Sequence, residues 1–190
     1  MEQERKNNMN GMEIEKGKRE SGSRKVLELT MRVLALVLTM VAATVLGVAK
    51  QTKVVSIKLI PTLPPLDVST TAKASYLSAF VYNISSNAIA CGYAAISIAV
   101  LMIRKGRRSK GLLMAALIGD LVMVGLLFSG TGAAGAIGLM GSQGNKHVMW
   151  KKVCNVFGKF CHKAAASVAI TLLASIVFML LVVLDAMKLP

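Results

Sequence analysis

The chain has 190 residues, enough for one domain, with 54 % hydrophobic residues and a mean hydropathy of +0.59. Soluble domains have about 45–50 % apolar residues, so this composition excludes an ordinary water-soluble fold. The net charge of +14 would suit a nucleic-acid-binding protein, but membrane proteins carry Lys and Arg in the segments that flank their helices. We therefore predict a membrane protein with no nucleic-acid partner.

The N-terminal segment, residues 1–25, is rich in Glu, Lys, Asn and Gly and has few apolar residues. Such a segment cannot bury enough apolar surface to offset the entropy cost of ordering. We expect it to be a disordered cytosolic tail. A removable signal peptide is the alternative for the apolar run behind it, since Gly47-Val48-Ala49 resembles a cleavage site. The long charged tail and the charges inside the run favour a retained helix.

Four apolar runs follow, and each is long enough to cross a ~30 Å hydrocarbon layer as a helix of ~20 residues. They lie at about residues 27–48, 76–103, 112–139 and 164–187. The alternating ten-residue segments that are typical of transmembrane β-barrels do not occur. The sequence therefore predicts an all-α integral membrane protein, with a four-helix bundle over residues 26–188.

The distribution of Lys and Arg predicts the orientation. The connector between the second and third runs contains no acidic residue and five basic ones, Arg104, Lys105, Arg107, Arg108 and Lys110. Positively charged connectors remain in the cytosol, so both termini are predicted to be cytosolic. The external loops are then about 49–75 and 140–163. In the first of them, Pro61, Pro64 and Pro65 favour extended polyproline geometry over helix.

Arg32 and Asp120 are opposite charges inside the first and third apolar runs. An ionised group in hydrocarbon is costly, so it usually faces the interior of a bundle and has a partner. The two residues are predicted to lie at similar depth in the cytosolic leaflet and to form an intramembrane charge pair. We favour a structural role for the pair. A proton-coupling or ion-coupling role is the alternative.

Small and polar residues recur at helical spacing in three runs, as expected of helix interfaces in membranes. A polar substrate pathway is the alternative interpretation. These stripes are Glu28, Arg32, Ala35, Thr39 and Ala42; Asn83, Asn87, Ala90, Ala94 and Ser97; and Ser167, Thr171, Ala174 and Phe178, with Asp185 near the end.

The third run has a second stripe of small residues, Gly125, Ser129, Gly132 and Ala136, about 150° around the helix from Asp120 at 100° per residue. If Asp120 faces the bundle, this stripe faces outward. We expect it to form an oligomer contact, with a glycine-rich hinge as the alternative.

Cys154 and Cys161 lie in the second external loop, where an oxidising compartment permits a disulfide. A continuous helix would hold them ~10 Å apart, beyond disulfide reach. The alternatives are therefore a bridged, broken loop, which we favour, and an interfacial helix with free thiols. His147 and His162 nearby are at spacings too irregular to predict a metal site.

The paired charges and several longer segments resemble the Casparian strip membrane domain protein-like (CASP-like) family of plants, group one. The segments that carry the resemblance are Met31–Leu36, Ala88–Tyr93, Asp120–Leu127 and Trp150–Cys154, with Cys161 after the last. The resemblance implies a MARVEL-related, multi-pass plasma-membrane protein that forms homo- and hetero-oligomers with related four-helix proteins.

The founding members of that family organise a membrane platform and recruit cell-wall enzymes. The first external loop of this chain lacks their aromatic-rich signature, so localisation to Casparian strips does not follow. The function expected from the resemblance is a non-catalytic, lipid-embedded scaffold without cofactor or metal. The alternative is a small transporter or channel that uses Arg32 and Asp120. An enzyme is disfavoured, because no buried His or carboxylate pair accompanies a nucleophile.

Overall fold

The structure is a computed structural model that describes residues 2–57, 66–103, 109–144 and 152–188. Short 3-10 turns at Ala74–Tyr76 and Val153–Asn155 precede the second and fourth helices. The main elements in chain order are α1 (Glu2–Gly47), β1 (Lys50–Ile57), β2 (Leu66–Lys73), α2 (Ser78–Ile103), α3 (Lys110–Gln143) and α4 (Gly158–Ala186).

Four helical segments are long and apolar enough to cross a membrane: Lys25–Gly47 of α1, and α2, α3 and α4. The predicted all-α, four-helix membrane fold is therefore confirmed. The helices extend beyond the apolar runs, most clearly at Gly158, where α4 begins well before residue 164. Polar residues at the ends of a spanning helix lower its hydropathy without interrupting its backbone, so hydropathy alone underestimates its length.

The structure differs from the prediction at the N-terminus, because α1 begins at Glu2 and includes the segment expected to be disordered. The expected disorder rested on the small apolar surface that residues 1–25 can bury, and not on their helix propensity. Their Glu, Lys, Arg, Gln and Met residues have high helix propensity, and a helix forms its backbone hydrogen bonds locally.

The first connecting segment contains an antiparallel hairpin, where the sequence predicted only an external loop. β1 pairs with β2 from Lys50 opposite Lys73 to Ile57 opposite Leu66. The hydroxyl groups of Thr52 and Thr71 lie 2.9 Å apart across the pair. β-Branched residues such as these favour strands. The prolines of this segment lie outside the described residues.

The helices form a ring in which each contacts the next, α1 with α2, α2 with α3, α3 with α4 and α4 with α1. α1 and α3 therefore lie diagonally opposite. The interior is formed by the predicted stripes, of which only Ser97 is not fully buried. One apolar cluster surrounds Leu127 and Phe178, and the other contains Phe80 and Phe160, with ring centroids 5.9 Å apart.

The two ends of the bundle differ in character. The hairpin and the second apolar cluster lie at one end, which we call the hairpin end. At the other, Lys188 after α4 contacts Glu28 near the start of the α1 span. The beginning and the end of the four-helix region therefore lie together, as an even number of spans requires. We call this the charged end.

Candidate functional site

The guanidinium group of Arg32 lies inside the charged end, with a side chain only 1 % exposed. Its Nη1 and Nη2 atoms donate to the two carboxylate oxygens of Asp120, at 3.3 and 3.0 Å. Nη2 also donates to Asp185 at 3.0 Å, and Nε donates to Glu28 at 3.3 Å. One cation therefore joins carboxylates from α1, α3 and α4.

Lys188 completes this arrangement. Its ammonium group donates to Glu28 at 2.7 Å and to Asp185 at 2.9 Å. A closed ring of alternating charge therefore runs through Arg32, Glu28, Lys188 and Asp185. Asp120 is joined to this ring by its bidentate contact with Arg32. We call these five residues the ion cluster.

The geometry explains why the cation is an arginine. The planar guanidinium carries five N–H donors in a fixed fork and can meet several carboxylates at once. Arg32 is also the largest fully buried side chain among the described residues. It extends across the centre of the ring of helices and connects α1 with α3, which lie on opposite sides. The cluster can therefore bind the helices to one another.

A second polar layer lies deeper in the bundle. The Asn87 amide donates to the Asn83 side-chain oxygen at 2.6 Å and to the Thr171 hydroxyl at 3.0 Å. The Ser167 hydroxyl donates to the Ala42 carbonyl at 2.8 Å. Together these bonds connect α4 to α2 and to α1. Interhelical hydrogen bonds of this kind stabilise membrane bundles, by ~0.6 kcal/mol each on average.

The small-residue stripe of α3 lies on the outside of the bundle. Gly125, Ser129, Gly132 and Ala136 are all exposed, whereas Asp120 on the opposite face is buried. A Cβ atom added at Gly125 or Gly132 would meet no atom within 4 Å. Ser129 is the one stripe residue with a described side-chain hydrogen bond, from the Tyr82 hydroxyl at 3.4 Å. α3 continues through the stripe as one helix.

Cys154 and Cys161 form a disulfide, with Cα atoms 5.7 Å apart. The structure has the bridge of the favoured alternative, with the α-helix beginning only between the two cysteines. Cys154 lies in a 3-10 turn, and Cys161 lies in the first turns of α4. Val156 and Phe157 separate these two helical segments. The bridge therefore connects the turn to the beginning of the helix.

The hairpin also supports the beginning of α4. The Phe160 backbone N–H donates to the Gln51 side-chain oxygen at 2.9 Å. The first N–H groups of a helix have no partner within it, and Phe157 at the N-cap offers no side-chain acceptor. The side chain of Gln51, in β1, supplies this acceptor from a distant part of the chain.

His162 is exposed at the hairpin end, and His147 lies outside the described residues. Among the residues that the structure describes, no group of three or more His, Cys, Asp or Glu side chains could hold a metal ion.

Arg32 and Asp120 were predicted from the sequence to form a pair, whereas the other members of the ion cluster were not. The structure places those two within 3.0 Å and adds Glu28, Asp185 and Lys188. Glu28 could have been found, because residues four apart lie on the same helical face. Asp185 is a further acid inside an apolar run. Lys188 follows the last helix, and only the packing of α4 against α1 brings it to Glu28.

Comparison with known proteins shows the family to which this bundle belongs. Residues 21–177 match the family model described as the Casparian strip membrane protein domain. Among curated proteins, the chain is similar to CASP-like protein 1E1 and CASP-like protein 1E2 of Arabidopsis thaliana. It is 84 % and 83 % identical to them over 190 residues, which cover all of each chain. It is 53 % identical to CASP-like protein 1E2 of Vitis vinifera, covering 100 % of this chain and 98 % of the relative.

No solved structure matches the chain. The family match includes the α1 span, α2, α3 and the larger part of α4, with Glu28, Arg32 and Asp120 of the ion cluster. The resemblance noted from the sequence is confirmed. The chain belongs to the CASP-like family of plant membrane proteins, group one.

Proposed function

We propose that the protein is a non-catalytic scaffold of the plasma membrane that self-associates into membrane platforms, with both termini in the cytosol. One observation carries the proposal: the ion cluster joins the helices of one bundle, while the small-residue stripe of α3 stays exposed. A protomer that is held together internally and has a separate exposed face is suited to form larger assemblies.

The stripe is the proposed contact between protomers. Small residues let two helices approach closely, and van der Waals contact then replaces the hydrophobic drive that is absent between helices in lipid. A hinge is the competing interpretation of the glycines. The unbroken course of α3 through Gly125 and Gly132 favours the contact.

The proposed partners are membrane lipid, copies of the same chain and related four-helix proteins. Cell-wall enzymes are proposed as proteins recruited by such assemblies, in keeping with membership of the CASP-like family. Catalysis and nucleic-acid binding form no part of this function.

Self-association is tested by chemical cross-linking of the full chain in plant plasma membranes. The Gly125→Leu/Gly132→Leu double variant is expected to lose the cross-linked oligomers and to diffuse faster in photobleaching recovery. Gly92→Leu is the matched control, because Gly92 is exposed on α2 and a Cβ there meets nothing within 4 Å. If the double variant gave the same oligomers as the control, the stripe would not be the contact.

Transport is the competing function, and the same protein can test it. A channel or transporter that uses Arg32 and Asp120 would produce ion flux in liposomes, and Asp120→Asn would abolish that flux. The scaffold proposal expects no flux from the wild-type protein. It is supported by the number of partners that Arg32 already has, four hydrogen bonds to three carboxylates.

A further inference from the structure

An apolar groove of about 700 Å³ lies between α3 and α4 at the hairpin end. Its walls are small residues such as Gly138 of α3 and Ala165 and Ala169 of α4, and the rings of Phe80 and Phe160 also line it. Sites for small organic ligands are typically ~300–1,000 Å³. The groove therefore has the size and the apolar lining of a ligand site. None of the four stripe residues lines it.

The α4 wall of the groove is as long as one leaflet of a membrane. Along α4 its lining runs from Gly158 to Leu172, a rise of about 21 Å at ~1.5 Å per residue. Half of a bilayer, including its headgroup region, is ~20–22 Å thick. The groove thus extends from the headgroups to about the middle of the membrane, along the wall of the bundle.

The outer end of the groove is positively charged. His162 lines it, and Lys152 and Lys159 are exposed next to the lining residues Val153 and Gly158. Residues 140–184 contain no Asp or Glu. Lysines near the membrane surface attract anionic lipid, by ~1 kcal/mol each. The charge here is therefore complementary to a phosphate group.

We propose that this groove binds an anionic phospholipid of the leaflet at the hairpin end. One acyl chain lies in the groove, and the phosphate lies against Lys152 and Lys159. The long apolar lining and the basic outer end suit an amphiphile with an anionic head, which an acidic phospholipid such as phosphatidylglycerol provides. This site does not depend on the proposed scaffold function.

The chain offers a matched pair of substitutions for the test. Ala165 and Ala166 are both exposed on α4, but only Ala165 lines the groove. Ala165→Phe therefore fills the groove, and Ala166→Phe adds the same ring outside it. Gly138→Leu is a second groove-filling variant on α3, where an added Cβ meets no atom within 4 Å.

The full chain is reconstituted in phosphatidylcholine vesicles that contain a trace of phosphatidylglycerol with a photoactivatable diazirine in its acyl chain. After illumination, mass spectrometry locates the labelled peptides. Label is expected within two segments, residues 134–142 and residues 158–172. Ala165→Phe and Gly138→Leu are expected to lower it roughly tenfold, as a loss of about 1.4 kcal/mol of binding would, and Ala166→Phe should match the wild type.

A second arm uses phosphatidylcholine with the same diazirine chain. The wild type should prefer the phosphatidylglycerol probe, and Lys152→Gln/Lys159→Gln should lose that preference. Label spread evenly around the bundle, or equal labelling by both probes, would overturn the proposal. So would an Ala165→Phe variant that kept its lipid label but lost its cross-linked oligomers, because the groove would then hold a second copy of the chain.

Discussion

Replacing Arg32 with Met tests whether the ion cluster holds the bundle together. Methionine replaces the aliphatic part of the arginine side chain but is shorter and has no charge, so it removes all four hydrogen bonds of the guanidinium group. Glu28 and Asp185 keep their contacts with Lys188. Asp120 loses both hydrogen bonds from Arg32, and Lys188 makes no described ion pair with it. The cost therefore falls mainly on Asp120.

The expected loss of unfolding free energy is larger for Arg32→Met than for Asp120→Leu, because only the first leaves Asp120 without the guanidinium group. Removing one partner of a buried ion pair costs about 3–5 kcal/mol, because the other charge stays buried. We expect this loss for Arg32→Met. Asp120→Leu leaves Arg32 with Glu28 and Asp185, so it should cost only the lost hydrogen bonds to a charged group, about 1.5–3 kcal/mol. The double variant removes both charges and should lose less than the sum of the two.

The free energy of unfolding is measured by titrating SDS into mixed micelles of the purified protein and following helicity by circular dichroism. We expect a coupling energy in the upper part of the ~0.5–3 kcal/mol range that contacting residues show. Lys188→Met is the control within the cluster. Its side chain is 27 % exposed, and an ion pair with access to water contributes only about 0–1 kcal/mol.

Additive losses would refute this reasoning. If the double variant lost the sum of the single losses within ~0.5 kcal/mol, Arg32 and Asp120 would not stabilise the bundle through each other. A stable, fully assembled Arg32→Met protein would refute it more directly.

Two further predictions concern packing and the disulfide. A Cβ added at Gly119 would lie 2.6 Å from the Tyr93 ring, so Gly119→Ala should lower the stability by about 1–3 kcal/mol through overpacking. Gly111→Ala in the same helix meets nothing within 4 Å and should be neutral or stabilising, by up to ~1 kcal/mol; equal effects in unfolding titrations would contradict the packing. Cys161→Ser opens a short loop closed with Cys154 and should cost about 2 kcal/mol. Reductant should shift the unfolding midpoint of the wild type and leave the variant unchanged, and a reductant effect in both would contradict this.

The four spans and their inward faces could be predicted from sequence, because both depend on local patterns. A run of apolar residues is sufficient to predict a spanning helix. Polar and small residues at helical spacing, such as Asn83 and Asn87, then mark the face that packs, and the structure buries that face.

Features that depend on distant contacts could not be predicted in the same way. The hairpin needs the register between β1 and β2, which no short window of sequence contains. The supported start of α4 needs Gln51, which is 109 residues away from Phe160. The predicted charge pair of Arg32 and Asp120 does not reveal how α1 and α3 are arranged. The two helices face each other across the ring, because an arginine side chain is long enough to cross it.

The order of charges on α1 and α4 is suited to selecting one register between these antiparallel helices. Glu28 contacts Lys188, and one turn deeper Arg32 contacts Asp185. A slip of one helical turn, ~5.4 Å, would bring Arg32 to Lys188 in one direction and Glu28 to Asp185 in the other. Each slip exchanges an attraction for a repulsion. In lipid, where apolar faces pack against hydrocarbon as readily as against each other, this selection against wrong registers is a reason to keep charges inside the bundle.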